Sequence, residues 1–88
     1  DFKFSKGSKY KSIVEIKYSD NPQLLHGIET QLPQYMISEK AGNGHYVILD
    51  VGKMKARPER LEKVCNELAQ HCEIHYVDAH LKKSASKL

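Results

Sequence analysis

The feature that most constrains the fold is a nearly continuous apolar run at residues 45–51, His45-Tyr46-Val47-Ile48-Leu49-Asp50-Val51. It has the length of one strand and lacks the polar alternation of a half-exposed strand. Such a run is typical of a strand that is buried on both faces of a parallel sheet. Because parallel strands are joined by crossovers, usually helices, the run predicts an α/β domain.

Two amphipathic segments flank this strand and supply the crossovers. The first follows Asp20 or Asn21 as the helix cap and Pro22 as an early helical residue. Pro33 lies inside it and predicts that the helix kinks or divides there. The second helix opens at Pro58. Their apolar positions are Leu25, Ile28, Leu32, Tyr35 and Met36 in the first helix, and Leu61, Val64, Cys65, Leu68 and Ala69 in the second.

The ends of the chain complete the predicted sheet. Residues 1–18 read as a β-hairpin around a turn at Lys6-Gly7-Ser8-Lys9, and residues 73–78 read as a last strand. The predicted order is β-β-α-β-α-β, in one domain over residues 1–79. Residues 80–88, which are rich in lysine and serine, are expected to form a basic flexible tail.

Composition narrows the function classes. The 88 residues allow one small domain, and no apolar run approaches the roughly 20 residues that cross a bilayer. Two cysteines are too few for a disulfide framework, which favours a reducing cytoplasm. The net charge of +3 weakly favours a nucleic-acid partner.

The segment that carries chemistry is Ile13-Val14-Glu15-Ile16-Lys17-Tyr18. Strand alternation places Glu15 and Lys17 on one face, where a covering helix would bury two charges. An ordinary ion pair at a sheet edge is the simpler interpretation. The predicted hairpin sets Asp1 opposite Val14 or Glu15, and two carboxylates with a lysine form a set that can hold Mg²⁺.

A second polar pair lies in the first helix. Gln31 and Tyr35 are four residues apart and project from one helix face. That helix must pack back across the sheet, which can bring this face over Glu15 and Lys17. The competing interpretation is that Tyr35 belongs to the core and that Gln31 is merely exposed.

In this order, Asp1, Glu15-Ile16-Lys17 and Gln31 to Tyr35 resemble the Asp…Glu-x-Lys core and the Gln-x-x-x-Tyr signature of the PD-(D/E)XK nuclease superfamily, RecB-like branch. The resemblance implies a restriction-endonuclease-like mixed sheet. It further implies metal-dependent hydrolysis of DNA phosphodiester bonds, of the restriction, repair or mobile-element defence type. The alternative is a non-catalytic module that binds DNA or protein within a larger assembly.

The resemblance also implies residue roles. Asp1, Glu15 and the Ile16 carbonyl would bind Mg²⁺ or Mn²⁺, and Lys17 would stabilise charge at the scissile phosphate. The expected substrate-binding residues are Gln31, Tyr35, Lys53, Lys55 and Arg57.

The superfamily core begins with a helix and a strand that would precede Asp1. The chain is therefore expected to be the C-terminal part of a nuclease domain. An open sheet face, with apolar side chains from Phe2, Phe4, Val14, Ile16 and Tyr18, would be covered by an upstream segment or a homodimer mate.

One further group of residues invites a zinc interpretation: His71, Cys72, His75 and His80. No second motif completes the four ligands of a structural zinc site, and Cys65 fits a buried core thiol.

Overall fold

The computed structural model describes residues 2–6 and 10–80, with side chains from residue 11 onward. Asp1, the turn at 7–9 and residues 81–88 of the predicted tail lie outside the described residues. The elements are β1 (Phe2–Lys6), β2 (Tyr10–Tyr18), α1 (Leu24–His26), a π-helical segment (Gly27–Gln31), α2 (Leu32–Ser38), β3 (Asn43–Asp50), α3 (Pro58–Glu67) and β4 (His71–Asp78).

The sheet has the order β1-β2-β3-β4. Strands β2, β3 and β4 are parallel, and their register aligns Glu15 with Tyr46 and Tyr46 with Ile74. These three strands are joined β-α-β-α-β by the two helical crossovers. Strand β1 pairs antiparallel with the outer edge of β2, with Phe2 opposite Val14.

The predicted restriction-endonuclease-like mixed sheet is wrong. The structure supports an α/β fold in which β2, β3 and β4 form an all-parallel three-stranded unit joined β-α-β-α-β, and it does not show the restriction-endonuclease arrangement. The prediction took the sheet class from the resemblance carried by Asp1, Glu15-Ile16-Lys17 and Gln31 to Tyr35. These motifs indicate which side chains share a strand face or a helix face, but they set neither the number nor the direction of the neighbouring strands.

All described helices pack on one face of the sheet, and the core lies between the two layers. Gly44 of β3 allows close packing there, because a Cβ at this position would lie 2.5 Å from the Met36 sulfur. The buried apolar residues are Ile13, Leu24, Ile28, Leu32, Met36, Ala41, Tyr46, Ile48, Leu61 and Cys65.

The opposite face of the sheet, here called the open face, is covered by none of the described elements. Val14 and Ile16 are half-buried there, while Tyr18 and Val77 are 55% and 45% exposed. Strand β3 is accordingly buried on alternate residues only, so the predicted burial of both its faces is wrong. The side chains of Phe2 and Phe4 lie outside the described residues, and a covering partner stays a prediction.

The first helix is divided, as Pro33 predicts. The π-helical segment separates α1 from α2, and at its end the Leu32 N–H donates to the Gly27 carbonyl five residues back. Pro33 is the second residue of α2 and, because it has no N–H, donates no hydrogen bond back to the π-helical segment. Within residues 2–6 and 10–80, no helix has the length and hydropathy needed to span a membrane.

Candidate functional site

Glu15 and Lys17 lie on the helix-covered face of β2, which confirms that they share one face. The Glu15 side chain is 1% exposed and that of Lys17 is 13% exposed. The Lys17 Nζ lies 3.4 Å from Glu15 Oε2. Strand β2 pairs with β3 along Glu15 and Lys17, whereas its described pairing with β1 ends at Val14, so burial by the covering helix distinguishes the pair from an exposed ion pair. Burying two charges in so small a domain is expensive, and the attraction between them offsets this only in part.

The π-helical segment packs directly onto this pair. An ideal Cβ built on Gly27 would lie 2.6 Å from Lys17 Cε and 2.3 Å from the Tyr46 hydroxyl oxygen. Only a glycine permits so close an approach of the helix to the sheet. The helix therefore crosses over Glu15 and Lys17, as its position after β2 predicts.

Tyr46 closes the side of the pair that faces β3. It is aligned with Glu15 in the sheet register, and its hydroxyl donates a 2.5 Å hydrogen bond to the Leu24 carbonyl. Burial raises the pKa of Tyr46, and the nearby negative charge of Glu15 raises it further. The tyrosine thus links β3 to α1 across the site.

Two oxygen atoms in this region are buried without a hydrogen-bond partner among the described residues, Glu15 Oε1 and Gln31 Oε1. Glu15 contacts Lys17 through its other oxygen. Gln31 ends the π-helical segment that begins at Gly27, the residue against Lys17. An unsatisfied buried oxygen costs about 1–3 kcal/mol and calls for an explanation.

The other predicted site residues have no described contact that ties them to the Glu15–Lys17 pair. Tyr35 is half-buried in α2 and packs against the core. Among the described side chains, neither Gln31 nor Tyr35 hydrogen-bonds to Glu15 or Lys17. Glu15 is also not part of any group of three candidate ligands in the described chain. Asp1, the predicted second carboxylate, lies outside the described residues.

The basic loop that follows β3 lies at the carboxyl ends of the parallel strands. Buried Ser19 holds it there: its Oγ accepts from the Val51 N–H at 3.0 Å, and its carbonyl accepts from the Lys55 N–H at 2.8 Å. Ligands of open α/β sheets bind at this edge. The predicted substrate-binding residues Lys53, Lys55 and Arg57 are exposed in this loop.

The zinc interpretation of residues 71–80 is wrong for Cys72. Along β4 the side chains alternate, so Cys72 lies on the helix-covered face while His71 and His75 lie on the open face. The Cys65 thiol donates to the Cys72 carbonyl at 3.1 Å. Burial raises the pKa of both thiols, as expected for core cysteines.

Sequence reasoning missed Ser19, Gly27 and Tyr46 as parts of this region. Gly27 interrupts an otherwise apolar helix pattern, and a glycine inside a helix is a signal for close packing. Tyr46 was placed in the buried strand, but its alignment with Glu15 depends on a register that the sequence does not reveal. Ser19 carries no motif that distinguishes it from a helix-cap residue.

We expect Tyr46→Phe to lower the free energy of unfolding by about 1–2 kcal/mol at neutral pH, because the Leu24 carbonyl loses its partner. The raised pKa of Tyr46 means that folding favours the protonated phenol. Its contribution to stability is complete below its ordinary pKa of 10.0 and is lost as the pH rises above that value.

Urea unfolding of the parent chain and of Tyr46→Phe between about pH 7 and 11 measures both effects. The parent chain should lose more stability above pH 10 than the variant does. Parallel pH curves would contradict the assignment to Tyr46.

Comparison with known proteins gives one match. Residues 1–53, which contain β1 to β3 and the Glu15–Lys17 pair, match the family described as Domain of unknown function (DUF8371). The searches of curated proteins and of solved structures give no match. Because the matched segment is more than half of the 88-residue chain, the protein belongs to the DUF8371 family.

Proposed function

We propose that this chain takes part in metal-dependent hydrolysis of DNA phosphodiester bonds at the Glu15–Lys17 pair. The observation that carries the proposal is a buried carboxylate with one oxygen on Lys17 and the other oxygen unpaired. A paired but incompletely satisfied charge in a small core destabilises the fold. Such groups concentrate at functional sites, where their chemistry outweighs that cost.

The donor set fits a hard divalent cation. Glu15 Oε1 and Gln31 Oε1 are both unpaired oxygen atoms, and Mg²⁺ prefers oxygen ligands. Glu15, together with Asp1 and the Ile16 carbonyl from the sequence prediction, would hold Mg²⁺, which Mn²⁺ could replace. The ion would activate water and offset phosphate charge.

The other residues act on the substrate. The Lys17 ammonium would stabilise the negative charge that develops at the phosphate, in a setting where little water screens it. The exposed cations of the loop at Lys53, Lys55 and Arg57 would bind the phosphate backbone. Gln31 and Tyr35 would hold the substrate or orient Lys17.

This proposal includes membership of the PD-(D/E)XK superfamily, RecB-like branch. The chain order of Glu15, Lys17, Gln31 and Tyr35 supports it, as does the helix that returns over Glu15 and Lys17. The proposed membership rests on the site residues and does not include the restriction-endonuclease-like mixed sheet. The two free thiols are compatible with the cytoplasmic location that the proposal includes.

A non-catalytic role in DNA or protein binding is the second candidate. The observation that favours it is that Glu15 is only 1% exposed beneath the π-helical segment. A substrate phosphate needs access to this carboxylate, so catalysis requires the covering helix to shift.

The test is a cleavage assay of the full 88-residue chain on plasmid and on single-stranded DNA, with Mg²⁺, with Mn²⁺ and with a chelator. We expect metal-dependent cutting that falls about 100-fold or more in Glu15→Gln and Lys17→Met. The matched controls are Glu67→Gln and Lys63→Met, exposed residues of α3 that should keep full activity.

Circular dichroism shows whether each variant is folded, and calorimetry with Mg²⁺ gives a readout that does not depend on activity. Equal cutting by Glu15→Gln and the parent chain would overturn the proposed site. A folded parent chain that neither cuts DNA nor binds Mg²⁺ would favour the non-catalytic role instead.

A further inference from the structure

The open face of the sheet carries a cluster of side chains of metal-binding types. This cluster lies on the face opposite the Glu15–Lys17 pair. It consists of His45 on β3 with Glu73 and His75 on β4, here called the imidazole cluster. Alternation along β4 places Glu73 and His75 on the same face. The parallel register then aligns His45 with Glu73 and Val47 with His75, so the three side chains meet.

The geometry of the imidazole cluster is close to that of a metal site. His45 Nδ1 lies 3.0 Å from His75 Nε2, and the two rings are 5.2 Å apart with an interplanar angle of 30°. One ligand atom from each of the three residues lies within 4.8 Å of the other two. Two ligands bound at about 2.0–2.1 Å to one tetrahedral Zn²⁺ lie roughly 3–3.5 Å apart.

The charge state of the imidazole cluster also suits a cation. The hydrogen bond from His71 Nε2 to Glu73 Oε2, at 3.0 Å, lowers the pKa of Glu73, and the neighbouring imidazoles lower it further. Glu73 is therefore a carboxylate at neutral pH. His71 also acts as an outer partner that orients this ligand, as is common around zinc.

The two imidazoles face each other through ring nitrogen atoms. Nitrogen atoms 3.0 Å apart can share only one proton between them, so one ring must present a lone pair to the other. A divalent cation between them replaces the shared proton and uses both lone pairs.

We propose that His45, Glu73 and His75 bind one Zn²⁺ ion on the open face of the sheet. Two imidazoles and one carboxylate are a three-ligand zinc set, and they leave a fourth position for water or for a group from a binding partner. Imidazole nitrogen selects zinc over Mg²⁺, which prefers oxygen. This site lies on the face opposite Glu15 and does not depend on the proposed nuclease function.

The test is calorimetric titration of the metal-free full chain with Zn²⁺ at about neutral pH, followed by NMR of the imidazole nitrogens. We expect one ion per chain, with the resonances of His45 and His75 shifted on binding. His45→Gln, His75→Gln and Glu73→Gln should each weaken binding at least about 10-fold. His26→Gln, an exposed histidine of α1, is the matched control and should bind as the parent chain does.

One further variant and two outcomes decide the proposal. Glu15→Gln should leave Zn²⁺ affinity unchanged, which separates this site from the proposed Mg²⁺ site. The side chains of His45, Glu73 and His75 are exposed or half-buried, so their variants should fold, and circular dichroism checks the folding of every variant. Failure of the folded parent chain to bind Zn²⁺, or equal binding by His45→Gln, would overturn the proposal.

Discussion

Lys17→Met is expected to lower the free energy of unfolding by about 3–5 kcal/mol, because it leaves the Glu15 carboxylate buried without its cation. The Glu15 side chain is 1% exposed, so water cannot take the place of the ammonium group. The lysine stem also packs under Gly27, but methionine preserves most of that apolar volume. The lost charge accordingly dominates the expected effect.

The double variant Glu15→Leu/Lys17→Met should recover most of that loss and reach or exceed the stability of the parent chain. Apolar residues of similar volume often replace a buried ion pair without cost. Urea unfolding of the parent chain, both single variants and the double variant measures the coupling between the two sites. Lys63→Met, on the exposed side of α3, should change stability by less than about 0.5 kcal/mol.

The double variant also separates stability from activity. A folded and stable protein without DNA cleavage would show that the charges are retained for chemistry. If the double variant is instead as unstable as the two single losses added together, the pair is a structural element and the proposed nuclease site loses its main support.

Gly27→Ala is expected to destabilise the fold by about 2–3 kcal/mol, although alanine is the better helix former. The added Cβ would lie 2.3 Å from the Tyr46 hydroxyl oxygen, which is held by its bond to the Leu24 carbonyl. The Lys17 stem can move aside more easily, because it is flexible. The helix must therefore lift from the sheet or break the tyrosine hydrogen bond.

Thermal or urea unfolding tests this with Gly42→Ala as the matched control. A Cβ at Gly42 would have nothing within 4 Å, so that variant should be close to neutral. Adding Tyr46→Phe to Gly27→Ala removes the oxygen that clashes. The double variant should therefore lose less stability than the sum of the losses of the two single variants. Strict additivity would show that the clash is relieved elsewhere.

Local chemistry was predictable from the sequence. Alternation along β2 placed Glu15 and Lys17 on one face, and Pro33 predicted that the first helix would divide. Both follow from neighbouring residues, since strand period and proline geometry act within a few positions. The crossing of the helix over the pair also followed, because a parallel crossover must return across the sheet it leaves.

Relations between distant segments were not predictable. The sheet class was taken from a resemblance carried by a few short motifs, and the structure instead shows three parallel strands, β2, β3 and β4. The imidazole cluster exists only because the register aligns His45 with Glu73, and hydrophobic periodicity does not specify which residues of two parallel strands pair. The prediction that both faces of β3 are buried was wrong because an apolar run indicates hydrophobicity but does not show which elements cover the strand.

The position of β3 has a consequence for the order in which the molecule folds. Its two parallel ladders each join residues about thirty positions apart, so neither can form by local zippering. We expect the intervening helices to dock before β3 gains either neighbour. Collapse of Leu32, Met36 and Leu61 against the apolar strand residues is therefore expected to precede completion of the sheet. Among the described strands, the antiparallel β1–β2 ladder joins residues close in sequence and is expected to close early.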